Sequence, residues 1–113
     1  MPDERLLPQD PLAFIQQCVR ERRIFWTYHV NMRLRGRSIS REAIFSSVET
    51  YEIIESYHDD KYLPAYLIWA QCEGEIFHVL FAADVEDRNV RVVTAYRPGP
   101  AEWTDNFKER KPK

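Results

Sequence analysis

Residues 62–97 read YLPAYLIWAQCEGEIFHVLFAADVEDRNVRVVTAYR, and this stretch decides the fold. Its aromatic, β-branched and aliphatic residues fall in three runs, Tyr62–Cys72, Glu75–Val85 and Val90–Tyr96. Glu73-Gly74-Glu75 and Glu86-Asp87-Arg88-Asn89 separate them, and Pro98-Gly99-Pro100 closes the last. Runs of this composition between such turn signals predict strands. Strands joined by turns this short are antiparallel, because a parallel crossover needs a dozen or more residues. Pro64 pushes the start of the first run toward a sheet edge or a bulge. A period of two places Phe77, Val79, Phe81, Ala83 and Val85 on one uniformly apolar face, which should meet helices. Ile76, His78, Leu80, Ala82 and Asp84 share the opposite, more open face. In the last run Val90, Val92, Thr94 and Tyr96 share one face, with Arg91, Val93, Ala95 and Arg97 on the other.

Glu52–Tyr57, with Ile53, Ile54 and Tyr57, supplies a fourth strand. Asp10-Pro11 is a helix start, with Asp10 as N-cap and Pro11 in the first helical position. Leu12, Ile15 and Val19 then give one apolar face to a helix over about 11–22. Ile24-Phe25-Trp26 is a short β-like run and a candidate fifth strand. Thr27 caps a second helix over roughly 28–35 that stops near Gly36. Ser40 caps a third over about 41–50, with Glu42 in its first turn. The expected class is α+β, with N-terminal helices packed on an antiparallel sheet of four or five strands. Residues 1–10 read as a flexible lead, 11–103 as a single domain, and 104–113 as a basic C-terminal tail that frays.

The chain has 113 residues and a mass of 13.5 kDa, the size of one domain. Hydrophobic residues make up 44% and charged residues 30%, ordinary for a soluble globular protein. Three glycines are too few for a phosphate-cradling loop. Nothing reads as a membrane span or a secretory leader. Cys18 and Cys72 form neither a disulfide framework nor a zinc pattern, and the expected compartment is the reducing cytoplasm. The net charge is −2 but unevenly spread. Residues 20–41 hold seven arginines against Glu21, a net of +6, and the remainder carries −8. Guanidinium groups bind phosphate or carboxylate bidentately, so the segment suits a nucleic-acid backbone or an acidic partner. The competing reading pairs these arginines internally with Glu42, Glu49, Glu52, Glu55, Asp59 and Asp60.

His29 and Arg33 are spaced i, i+4 on the expected second helix, so their side chains are neighbours. A histidine beside a fixed cation suits phosphodiester chemistry, where one group moves a proton and the other stabilises charge on phosphorus. The alternative is a capping histidine near a helix N-terminus. No His-x-x-x-His or Cys-x-x-Cys spacing supports a metal site, and no cofactor is implied.

Several segments resemble a known family. They are His29-Val30-Asn31-Met32-Arg33, Arg37 to Ile44, Glu52 to Tyr57, Glu75-Ile76-Phe77-His78-Val79, Val93 to Pro98, and Trp103. In this order and spacing the chain resembles domain-of-unknown-function family 4258 over about residues 24–103. That family is usually grouped with the RelE/ParE-like toxin superfamily. The resemblance implies two helices on a curved antiparallel sheet, with the helix at 11–22 as an N-terminal addition. Superfamily members include metal-independent mRNA endonucleases, commonly neutralised by an antitoxin protein. The positions that carry over are His29, Arg33, His78, Tyr96 and Arg97. The expectation is a metal-independent ribonuclease in which His29 or His78 acts as base. Arg33 and Arg97 hold the phosphate, and Tyr96 positions the base or the leaving oxygen. The alternative is a non-catalytic interaction or regulatory module, in which Tyr96 packs, Arg97 ties the chain end to the sheet and His78 bonds a neighbouring backbone. The chain departs from ribosome-directed toxins, which tend to be strongly basic, in being mildly acidic.

Overall fold

A computed structural model describes residues 7–27, 39–58 and 63–112. The expected helix at 28–35, and with it His29 and Arg33, lies outside the described residues. The elements in chain order are α1 (Pro11–Arg20), β1 (Ile24–Trp26), α2 (Arg41–Ser46), a 3₁₀ turn (Val48–Thr50), β2 (Glu52–Tyr57), β3 (Ala65–Cys72), β4 (Glu75–Asp84) and β5 (Asn89–Tyr96).

The caps explain where the helices begin. Asp10 Oδ1 accepts the Ala13 N–H at 3.1 Å, with Pro11 in the first turn, and Ser40 Oγ accepts the Ala43 N–H at 3.0 Å. α1 ends in a Schellman closure. The Arg23 N–H bonds the Cys18 carbonyl at 2.8 Å and the Arg22 N–H bonds the Val19 carbonyl at 3.1 Å. Arg22 takes the left-handed conformation there, φ +62°, where glycine is the usual occupant. The β3–β4 hairpin turns on Glu73 and Gly74, at φ +53° and +82°, the two-residue geometry that matches strand twist.

The sheet has the order β1-β5-β4-β3-β2. β2 to β5 form the expected antiparallel meander, but β1 runs parallel to β5, so the five-stranded sheet is mixed. Turn length fixes direction only for strands joined by hairpins, and β1 joins β2 through residues 27–51. The sheet is open, neither curled nor closed, in contrast to the curved sheet expected. β3, despite Pro64, is an interior strand, and the proline sits just before its first residue.

One sheet face packs on the helices. Ile15, Cys18 and Val19 of α1 and Ile44 of α2 meet Tyr66, Ile68, Phe77, Val79, Phe81, Ala83, Val90 and Val92. Burial of such side chains contributes about 1.5–3 kcal/mol each. Tyr51 is buried among them and donates to the Ile44 carbonyl at 2.6 Å. Burial holds its phenol well above the ordinary tyrosine range.

Two bulges change which residues share a face. In β5 the register slips between Leu80/Phe81 and Thr94/Val92, leaving Val93 43% exposed. Val90 and Val92 face the core, but beyond the slip Ala95 does so, and Thr94 and Tyr96 turn to the opposite face. A strict period of two, which groups Tyr96 with Val90, therefore fails there. A second slip, at Ile54, turns Glu55 to the open face opposite Leu67.

Candidate functional site

The open face of the sheet presents rows of paired side chains. Glu52, Trp69, His78 and Tyr96 lie across β2 to β5 in one row, and Glu55, Leu67, Leu80 and Thr94 in the next. Part of this face is covered by the C-terminal residues expected to fray. They fold into a strap over 102–111, closed by a Trp103–Arg110 bridge and by the Lys111 N–H on the Glu102 carbonyl at 2.9 Å. Asn106 stiffens its tip, its Oδ1 accepting from Thr104 Oγ1 at 2.8 Å and from the Lys108 N–H at 2.9 Å.

The strap is fastened by groups far away in sequence. Trp69 Nε1–H donates to the Asn106 carbonyl at 3.0 Å. Lys108 pairs with Glu52 at 2.7 Å and lies over the Trp69 ring. Arg110 is bidentate on Glu55, at 2.6 and 3.1 Å, and lies over Trp103. Tyr57 also donates to Glu55. The Arg110 guanidinium, chiefly, holds the Glu55 carboxyl below its ordinary range.

His78 sits under the strap. It does lie on the face opposite the helices, but it is fully buried rather than open, because Trp103 stands edge-on to it at 4.6 Å. Its Nε2 is 2.7 Å from the Phe107 carbonyl, a group that only accepts. Nε2 therefore carries the proton, and Nδ1 accepts from the Tyr96 hydroxyl at 3.3 Å. Burial pushes the imidazole pKa down, which favours this neutral form. Phe107 adopts φ +59°, outside the ordinary range for a bulky residue, while its carbonyl meets the ring.

Beside the strap, the uncovered part of the face forms a cleft of about 620 Å³. Ala65, Leu67 and Leu80 give it an apolar lining, and Tyr57, His58, Thr94, Tyr96 and Arg110 add polar groups. Tyr96 keeps its proton, since burial pushes its pKa up. With that proton on His78, its oxygen lone pairs serve as an acceptor. The floor suits a planar or apolar group, and Arg110 suits an anion.

The site residues expected from sequence are thus dispersed. His78 and Tyr96 are in contact, with Tyr96 at the cleft and His78 behind it. Arg97 turns to the other side of the sheet, where it pairs with Glu75 at 2.6 Å near Cys72 and Ser46. Nothing in the spacing of Tyr57, His58 and Arg110 marks them for catalysis. Tyr57 and His58 follow directly on β2, and Arg110 reads as a loose cation until its partner Glu55 is known. Among the described residues, no group of histidine, cysteine and carboxylate side chains is arranged to hold a metal ion. No described helix is long and apolar enough to cross a membrane.

A family model described as "Domain of unknown function (DUF4258)" matches residues 26–97. The chain belongs to the DUF4258 family. The match begins in β1 and ends just after β5, so it includes Tyr57, His58, His78 and Tyr96 and stops short of the strap. In this DUF4258 chain, Arg110 reaches the cleft from outside the family span. No curated protein and no solved structure matches the chain.

Proposed function

We propose that the cleft of this DUF4258 domain binds RNA and cleaves it without a metal, as a toxin-type domain related to the RelE/ParE-like toxins. The observation that carries this reading is the convergence of His58, Tyr96 and Arg110 on one accessible cleft with an apolar floor. His58 takes the proton of a ribose 2′-hydroxyl. The 2′-oxygen attacks the adjacent phosphorus, the bond to the 5′-oxygen breaks, and water in the open cleft protonates the departing oxygen. Arg110, oriented by Glu55, stabilises the charge that builds on the phosphoryl oxygens. Tyr96 accepts a hydrogen bond from the substrate because its own proton is engaged by His78. The chain's cytoplasmic location and an antitoxin partner belong to the same proposal. The toxin relation draws on the segment resemblance and on helices packed against one face of an antiparallel run of strands.

The test is cleavage of end-labelled single-stranded RNA in EDTA. Wild type should cut, and His58→Ala should lose about 10²–10³ in rate, the effect typical of losing a placed proton-transfer or charge contact. Equal rates in both proteins would refute the assignment.

One observation favours a second reading, a non-catalytic binding module. Both described arginines that could hold the phosphate already face carboxylates, Arg97 on Glu75 and Arg110 on Glu55. RNA or protein retained by the cleft without any turnover would decide for it.

A further inference from the structure

Tyr57 and Tyr96 both line the cleft, and neither phenol has a hydrogen to offer a ligand. For Tyr96 the cause lies in the strap. The Phe107 carbonyl only accepts, so His78 Nε2 donates to it at 2.7 Å. A neutral imidazole with its hydrogen on Nε2 has a bare Nδ1, and that nitrogen takes the Tyr96 hydroxyl hydrogen at 3.3 Å. The Tyr96 oxygen therefore meets a ligand in the cleft with lone pairs alone. Tyr57 spends its hydrogen on Glu55, and its oxygen stands beside Arg110.

This polarity is locked. Tyr96 can turn its hydrogen outward only by leaving Nδ1 of a fully buried imidazole without a donor. The other tautomer sets the Nε2 lone pair against the Phe107 carbonyl. A buried polar group left unpaired shifts an equilibrium by roughly tenfold or more. Protonating both nitrogens is opposed by the burial of the ring. Leu67 and Leu80 give the same cleft an apolar floor, and Arg110, held by Glu55 through Nε and Nη2, adds an oriented cation. A planar base suits the floor and a phosphate suits the cation.

We infer that Tyr96 selects the base in the cleft, taking one that presents an exocyclic amine, cytosine or adenine, over uracil. The amine donates to the Tyr96 oxygen, whereas the uracil carbonyl meets it lone pair to lone pair. Ribose hydroxyls turn to donate or accept, so they give no such preference. The inference rests on the reading of the cleft as an RNA site, and not on cleavage there. His78 is then a positioning residue, fixing the direction of the Tyr96 hydrogen. Base choice inside the family span is set by Phe107, which lies outside it.

The test is a calorimetric titration of the full chain at pH 8 with matched nucleoside 3′-monophosphates, cytidine against uridine and adenosine against inosine. Each pair exchanges an amine for a carbonyl at one ring position. Wild type should bind the cytidine and adenosine nucleotides about tenfold tighter than their partners. Tyr96→Phe removes the acceptor and should bring both ratios to about one. His78→Phe keeps the Tyr96 hydroxyl but lets its hydrogen turn outward, so it should bind all four nucleotides and lose the preference. A merely structural His78 would weaken all four alike and keep the ratios. Equal affinities in wild type, or ratios unchanged in either folded variant, would overturn the inference. Binding of none of the four would overturn it together with the RNA reading. Selective binding by a chain that leaves RNA uncut in EDTA would uphold it and reject the ribonuclease.

Discussion

The replacement His78→Phe tests whether the buried imidazole is the fastening of the strap. Phenylalanine retains a ring between Trp103 and Tyr96 but removes both nitrogens. The Phe107 carbonyl loses its 2.7 Å bond and the Tyr96 hydroxyl its 3.3 Å bond. An orphaned polar group costs about 1–3 kcal/mol. The stronger bond sets the scale, so a loss of about 2 kcal/mol is expected at pH 8, readable by urea unfolding. The pH dependence is more diagnostic. Burial places the His78 pKa below its ordinary 6.5. Between those two values the unfolded chain binds a proton that the folded protein refuses, so wild-type stability falls as pH falls below about 6.5. The slope approaches about 1.4 kcal/mol per pH unit. The phenylalanine variant has no such titration, so the stability gap should narrow below pH 6.5 by that amount. A gap constant from pH 8 to pH 5 would refute the assignment of His78 as a neutral, doubly bonded group.

Glu55→Gln removes a carboxylate held below its usual pKa by Arg110, so its contribution is present at neutral pH and vanishes as pH falls through that lowered value. Chemical unfolding should show a loss of about 1 kcal/mol or less at pH 7, since Arg110 is half exposed, and none in strong acid. Tyr51→Phe should cost about 1 kcal/mol at any pH from 5 to 9, because the Ile44 carbonyl loses its closer donor and keeps only the Ser47 hydroxyl at 3.3 Å. Calorimetry should record a midpoint lower by several degrees. Truncation after Glu102 should uncover Trp69 and return the His78 pKa toward its ordinary value, seen as a rise in an NMR titration of the imidazole.

Much of the fold is legible in local sequence. Asp10-Pro11 and Ser40 start helices where their cap chemistry says, and Glu73-Gly74 turns the hairpin. What is not legible depends on partners. The bulge at Val93 has no glycine to announce it, so a period of two groups Tyr96 with Val90 and Val92, from which the slip separates it. The parallel β1 is set by docking against a strand more than sixty residues later, not by any turn. The strap reads as loose basic residues because Glu52 and Glu55 lie over fifty residues upstream of Lys108 and Arg110. For the same reason His58 and Arg110 stay invisible as a pair: each is unremarkable alone, and only the folded sheet brings them to one cleft.

The position of β1 constrains the order in which this protein takes shape. Ile24–Trp26 is synthesised more than sixty residues before its strand partner, Val90–Val92. Between those moments the three residues have no ladder to join, and Phe25, more than half exposed even in the native fold, is apolar bait for other chains. The meander β2–β5 assembles through neighbours in sequence, so it forms first and offers β5 as a finished template. β1 then docks, and the strap can fasten only after residues 102–111 leave the ribosome. A nascent chain stalled before residue 89 should therefore hold neither its first strand nor its last loop, and should be the species most in need of a chaperone.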